Sequence, residues 1–190
     1  MKDWKKEILT IPNLLSLFRL ALIPVYVVLY LNAVAPVDYA VAAAVLAVSC
    51  LTDMFDGKIA RRFNMISTVG KLLDPVADKA TQFSLLLCLA IEFPVLWTLM
   101  FLFVIKESFQ LIAGWIAYRK GKMLKGALMT GKICTTVLFL SLIVMVLFHH
   151  RLSPPVVHII TVIDGLFMLI AFGHYALTYY QKTSMIQDIN

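Results

Sequence analysis

Asp53, Asp56, Asp74 and Asp78 stand within one stretch, LTDMFDGKIARRFNMISTVGKLLDPVADKA at 51–80, of a chain that is otherwise strongly apolar. The first two are three residues apart and the second two are four apart. On a helix either spacing puts both carboxylates on one face, roughly 4.5–6 Å apart along the axis. Two antiparallel helices can therefore turn four acids toward one point. Left alone, such a cluster is costly, because an aspartate at the centre of a membrane helix costs about 2.5–3.5 kcal/mol and like charges repel. Bound cations relieve both penalties. Four carboxylates balance two divalent ions, and an all-oxygen donor set suits Mg²⁺ or Mn²⁺ better than zinc; Ca²⁺ could occupy the same site without being productive. Two such ions about 3.5–4 Å apart form a clamp fitted to phosphoryl chemistry. The plainer reading is that single aspartates cap helix ends or pair with Arg61 and Arg62. Four at face-matched spacing, with Gly57 and Gly70 beside them, exceed what capping needs.

The rest of the chain has to position that hairpin. Hydrophobic residues make up 61% of 190 and charged residues only 15%, with a mean hydropathy of +0.87. A soluble domain of this length could not bury so much apolar surface, so the composition predicts an all-α integral membrane protein formed as a single domain over 1–190. Apolar stretches near 14–31, 39–59, 70–91, 94–118, 128–148 and 155–179 are each long enough to span a bilayer as a helix, giving six transmembrane helices. The short links between them force neighbours antiparallel. Lys2, Lys5 and Lys6, then Arg61 and Arg62, then Arg119, Lys120, Lys122 and Lys125 fall on one side; the other side has only Arg151. By the positive-inside rule both termini and the aspartate hairpin face the cytoplasm. The net charge of +6 is thus explained by anionic lipid, without a nucleic-acid partner. Residues 1–10, with Trp4 and three lysines, read as a short interfacial segment. A cleaved signal peptide ending at Ala33-Val34-Ala35 is the rival, and Arg19 inside the apolar run argues against it. Cys50, Cys88 and Cys134 lack metal-ligand spacing and read as small buried hydrophobes.

Written as a pattern, the hairpin is D-x2-D-G-x2-A-R-x8-G-x3-D-x3-D, through Asp53, Asp56, Gly57, Ala60, Arg61, Gly70, Asp74 and Asp78. This resembles the signature of the CDP-alcohol phosphatidyltransferase family, with every fixed position present, and the six-helix layout is similar too. The resemblance implies that an alcohol hydroxyl attacks the β-phosphorus of CDP-diacylglycerol, forming a phosphodiester and releasing CMP. It further implies that Asp53, Asp56 and Asp74 ligate metal. Asp78 would be the catalytic base while also touching a metal, and Asp56, Gly57, Ala60, Arg61 and Gly70 would bind the cytidine diphosphate. Their chemistry agrees, since glycine lets a nucleotide approach the backbone and arginine can fork onto phosphate oxygens. The resemblance also implies a homodimer, and a short chain without a recognisable transit peptide suggests a bacterial plasma membrane.

IPNLLSLFR at 11–19 is similar to the first-helix start of the branch containing phosphatidylglycerophosphate synthases and cardiolipin synthases. There Asn13 and Arg19 would face the active-site cavity. Asn13 could instead cap a helix after Pro12, and Arg19 could snorkel. GKICT at 131–135 resembles a G-K-x-x-T element of the same branch, placing Lys132 near an acceptor phosphate. Lys106-Glu107 stands where phosphatidylglycerophosphate synthases often have Arg-Glu, and lysine lacks the bidentate geometry of arginine. Lys106, Arg119 and Lys132 are the candidates for holding a phosphate on the acceptor. Lys106 could equally pair with Glu107, and Arg119 could belong to a solvated link. The expected acceptor is glycerol 3-phosphate; the alternatives are phosphatidylglycerol, which would make the chain a cardiolipin synthase, or the acceptor of another CDP-alcohol phosphatidyltransferase. A cation transporter is the non-enzyme alternative, weakened because Glu107 and Asp164 are the only carboxylates in the fourth and sixth stretches. His149, His150 and Arg151 read as an exposed outer link, and His158 and His174 as lone histidines.

Overall fold

The computed structural model describes residues 10–62, 70–119 and 129–187, and the expected interfacial segment before residue 10 lies outside them. Among the described residues every regular element is helical. They are α1 (Ile11–Leu31), α2 (Pro36–Arg62), α3 (Gly70–Glu92), α4 (Leu96–Arg119), α5 (Met129–Leu147), a 3₁₀ turn (His149–Arg151) and α6 (Pro154–Gln187). Four of them are long and apolar enough to cross a membrane, over Asn13–Leu31, Leu96–Ile116, Met129–Leu147 and Pro154–Thr178. The other two helices are those of the aspartate hairpin. Among the described residues the apolar part of α2 is Pro36–Thr52, and in α3 the charges of Asp74, Asp78 and Lys79 interrupt the apolar run.

The helices form two compact units, Met1–Glu92 with Ile143–Arg151, and Phe93–Leu142 with Leu152–Asn190. In the first, α1 packs on α2 and α3. Its interior stripe is polar at the start, through Asn13, Ser16 and Arg19, and aromatic further on, through Tyr26 and Tyr30. Ala42, Ala43, Leu46 and Ser49 form the buried face of α2, at helical spacing; Ala77, Thr81, Leu85 and Leu89 do the same for α3. Small residues on such faces let helix backbones approach, which replaces the missing hydrophobic drive inside lipid. α1 and α3 run parallel, as Ser16 meets Asp74, Arg19 meets Asp78 and Tyr30 meets Glu92.

In the second unit α4 packs on α6, with Phe109 edge-on to Phe172 at 5.1 Å. α5 meets α6 through Ser141 and Asp164, and through Thr130 and His174 at 2.8 Å. A Cβ on Gly131 would lie 2.8 Å from the Tyr175 ring, so a larger residue there would displace that ring or α5. Large apolar side chains such as Phe101, Leu111 and Ile170 point outward, as they must where lipid is the solvent.

Candidate active site

The site is built where α1 lies along the start of α3. Thr10, with extended backbone, is the N-cap of α1, and Pro12 occupies its first turn where no N–H is needed. Asn13 is therefore inside the helix rather than its cap, and it is buried. Ser16 and Arg19 follow at steps of three, which keeps them on the same stripe. The Ser16 hydroxyl donates to Oδ1 of Asp74, and Nη1 of Arg19 donates to Oδ1 of Asp78. Arg19 is enclosed, its side chain 3% exposed, whereas Asp78 keeps 45% of its side-chain surface open. The arginine thus points inward to its carboxylate and does not snorkel, while the acid keeps an open side.

Gly70 is the first residue of α3 and is buried. Asp74 and Asp78 lie one turn apart on α3, both partly exposed, with Pro75 between them. Asp53, Asp56, Gly57, Ala60 and Arg61 lie in the last turns of α2; their side chains fall outside the described residues. The structure therefore brings together Asp74, Asp78 and Arg19 of the expected set, with Asn13 on the same stripe. It adds Ser16, which the sequence reading passed over although its spacing from Asn13 and Arg19 was the available signal.

The remaining candidates belong to the second unit. Lys106 is buried and its ammonium lies 2.6 Å from Oε1 of Glu107. Arg119 is exposed, its guanidinium 5.5 Å from the centre of the Trp115 ring, a cation–π contact. Lys132 is exposed near the start of α5. In the same GKICT stretch, the Thr135 hydroxyl bonds back to the Gly131 carbonyl at 2.5 Å.

At the far end of α3, Glu92 accepts hydrogen bonds from the Tyr30 and Tyr39 hydroxyls at 3.2 and 3.3 Å and contacts Nε2 of His149. The His149 ring stacks on Tyr39 at 4.0 Å. His149 is thus packed into the first unit rather than solvated, while His150 and Arg151 are exposed as expected of a link. His158 bonds a carbonyl of its own helix, that of Pro154, at 2.8 Å.

The residues present suit divalent ions by donor chemistry. Asp74 and Asp78 offer hard oxygens one turn apart, and each accepts a hydrogen bond, from Ser16 and Arg19, of the kind that would orient a carboxylate on a metal. Among the described residues no three acidic, histidine or cysteine side chains converge. Further donors would come from Asp53 and Asp56 at the end of α2.

The sequence profile described as CDP-alcohol phosphatidyltransferase matches residues 9–177, from the start of α1 far into α6. The chain belongs to the CDP-alcohol phosphatidyltransferase family. Among curated members, it is 48% identical over 75 residues to a Streptomyces coelicolor protein named cardiolipin synthase (CMP-forming), covering 38% of this chain and 35% of that one. It is 41% identical over 70 residues to a Rickettsia bellii protein named CDP-diacylglycerol–glycerol-3-phosphate 3-phosphatidyltransferase, covering 36% and 38%. An Escherichia coli K12 protein of the same name is 48% identical over 69 residues, covering 36% and 37%. The chain thus spans little more than a third of the length of these relatives in each match. For this family member the α1–α3 contact supplies a physical frame for two of the signature's aspartates.

Proposed function

We propose that the protein transfers a phosphatidyl group from CDP-diacylglycerol to glycerol 3-phosphate, making phosphatidylglycerophosphate and releasing CMP in phospholipid biosynthesis. The observation that carries this reading is the full eight-position signature on α2 and α3, with Asp74 and Asp78 held by Ser16 and Arg19. The names of the Rickettsia and Escherichia relatives support the acceptor. The Streptomyces relative supports the second reading, a cardiolipin synthase accepting phosphatidylglycerol.

In the reaction, Arg61 and the backbone at Gly57, Ala60 and Gly70 hold the cytidine diphosphate, with Asp56 bordering the same pocket. Asp78 takes the proton of the acceptor hydroxyl as its oxygen bonds to the β-phosphorus and the bond to CMP breaks. Its open side-chain surface provides the reach a base needs, and fixing the alcohol beside it supplies much of the rate. Two Mg²⁺ or Mn²⁺ ions held by Asp53, Asp56, Asp74 and Asp78 would polarise the phosphate and steady the leaving oxygen. Lys106, Arg119 and Lys132, and separately Asn13 and Arg19, are the candidates for contact with the acceptor. The family match runs through both compact units, which supports one domain over 1–190. The protein works as a homodimer in a bacterial inner membrane, with both termini and the site on the cytoplasmic side.

The test is CMP release by purified protein in detergent with CDP-diacylglycerol and Mn²⁺ or Mg²⁺. Glycerol 3-phosphate, phosphatidylglycerol, inositol phosphate and serine are offered singly. Release with glycerol 3-phosphate alone, lost with EDTA and in Asp78→Asn, is the expected result. Release with phosphatidylglycerol alone favours the cardiolipin synthase. Bound metal with no release for any acceptor moves the weight to a cation transporter.

A further inference from the structure

In the second unit one buried ionisable group has no part in this chemistry. Asp164 lies well inside the α6 span, 2% exposed. Its Oδ2 is in hydrogen-bond contact with the Ser141 hydroxyl oxygen of α5, and that same oxygen lies 2.8 Å from the Leu138 carbonyl. A serine hydroxyl carries one hydrogen. Were Asp164 ionised, both neighbours of the Ser141 oxygen would be acceptors, and its single hydrogen would have to be divided between them. Protonation removes the conflict. The acid O–H then donates to Ser141, whose own hydrogen goes to the Leu138 carbonyl.

A separate observation agrees. Asp164 Oδ1 is buried and has no hydrogen-bond partner among the described residues, and no described lysine, arginine or histidine forms an ion pair with this carboxyl. Lys106, the buried cation of α4, is held by Glu107. An uncompensated charge at this depth is heavily penalised, whereas the carbonyl oxygen of a neutral acid is a far weaker demand.

The geometry points to Asp164 as a neutral carboxylic acid in the membrane interior, a positioning residue that pins α6 to α5 through an Asp164–Ser141–Leu138 hydrogen-bond chain. The pin sits on the same seam as the Thr130–His174 bond and the Gly131–Tyr175 contact, so it sets the register of the helix that carries Lys132. It does not depend on the transfer reaction. A neutral acid engaged in this way is a donor to protein, not a carboxylate offered to a passing cation.

Infrared difference spectroscopy on the purified full-length protein, wild type minus Asp164→Asn at neutral pH, tests the protonation. The expected difference contains the carbonyl stretch of a protonated carboxylic acid, shifted in D₂O. A difference made only of carboxylate bands overturns the assignment. Thermal melting in detergent tests the pin. Asp164→Asn keeps a donor for Ser141 and should melt near the wild type, whereas Asp164→Leu should fall by roughly 2–4 °C. Asp164→Leu as stable as wild type, or Asp164→Asn falling equally far, would refute the pin. If Asp164→Leu yields no folded protein, Ser141→Ala is expected to show the same fall, and a wild-type melt for it counts against the proposal.

Discussion

A single hydroxyl sets how Asp74 is presented. Ser16 is buried and donates to Oδ1 of that carboxylate, so α1 helps to set the acid's rotation. Ser16→Ala removes the donor with little change in volume. The expected outcome is a 10–100-fold weaker apparent affinity for Mn²⁺, the usual cost of losing an outer-shell contact, measured by direct metal titration of the purified protein. Unchanged affinity would mean that Ser16 only fills space. The acids themselves were readable from the sequence, because charge in an apolar run stands out and a four-residue step is a helical face. Ser16 was not, because an uncharged serine among apolar residues costs little and draws no notice until its partner on α3 is known.

Elements are set by their ends as much as by their stripes. The carboxylate of Asp38, in the first turn of α2, accepts the Val34 and Ala35 backbone amides at 2.9 and 2.8 Å, satisfying donors that the helix start leaves open. Those amides hold the Asp38 carboxyl below its ordinary value of 3.8. A depressed folded value means the contribution is present above about pH 4 and is lost as pH falls through the folded value. Wild type should therefore lose more melting temperature than Asp38→Asn between pH 6 and pH 3, and equal losses would refute the assignment. The sequence placed a link ending at Asp38 and a span from residue 39; the helix begins at Pro36, since proline suits a first turn. The Glu92–Tyr30–Tyr39–His149 cluster was not readable, because its members are joined by packing across long sequence separations and by no local period.

For the whole molecule, composition fixed the solvent before any contact was known. Apolar runs of bilayer length foretold six transmembrane helices; helices lie where those runs are, α1 over Ile11–Leu31 against the expected 14–31, and among the described residues four are long and apolar enough to span. Which groups face inward was less accessible, because in lipid the polar stripe is the buried one and hydropathy averages over it. The orientation inferred from Lys and Arg makes a concrete prediction. In a background without Cys50, Cys88 and Cys134, a cysteine at Arg62 should react with an impermeant thiol reagent only after the cells are opened. A cysteine at His150 should react in intact cells, and the reverse pattern would invert the topology.

Glu92 also dictates an order of events on the ribosome. The carboxylate is made 57 residues before His149, the group that completes its surroundings. At roughly 5–20 residues per second that is a wait of about 3–11 s for the nascent chain. During it Tyr30 and Tyr39 are already made and His149 is not, so this cluster closes only after α5 has been synthesised.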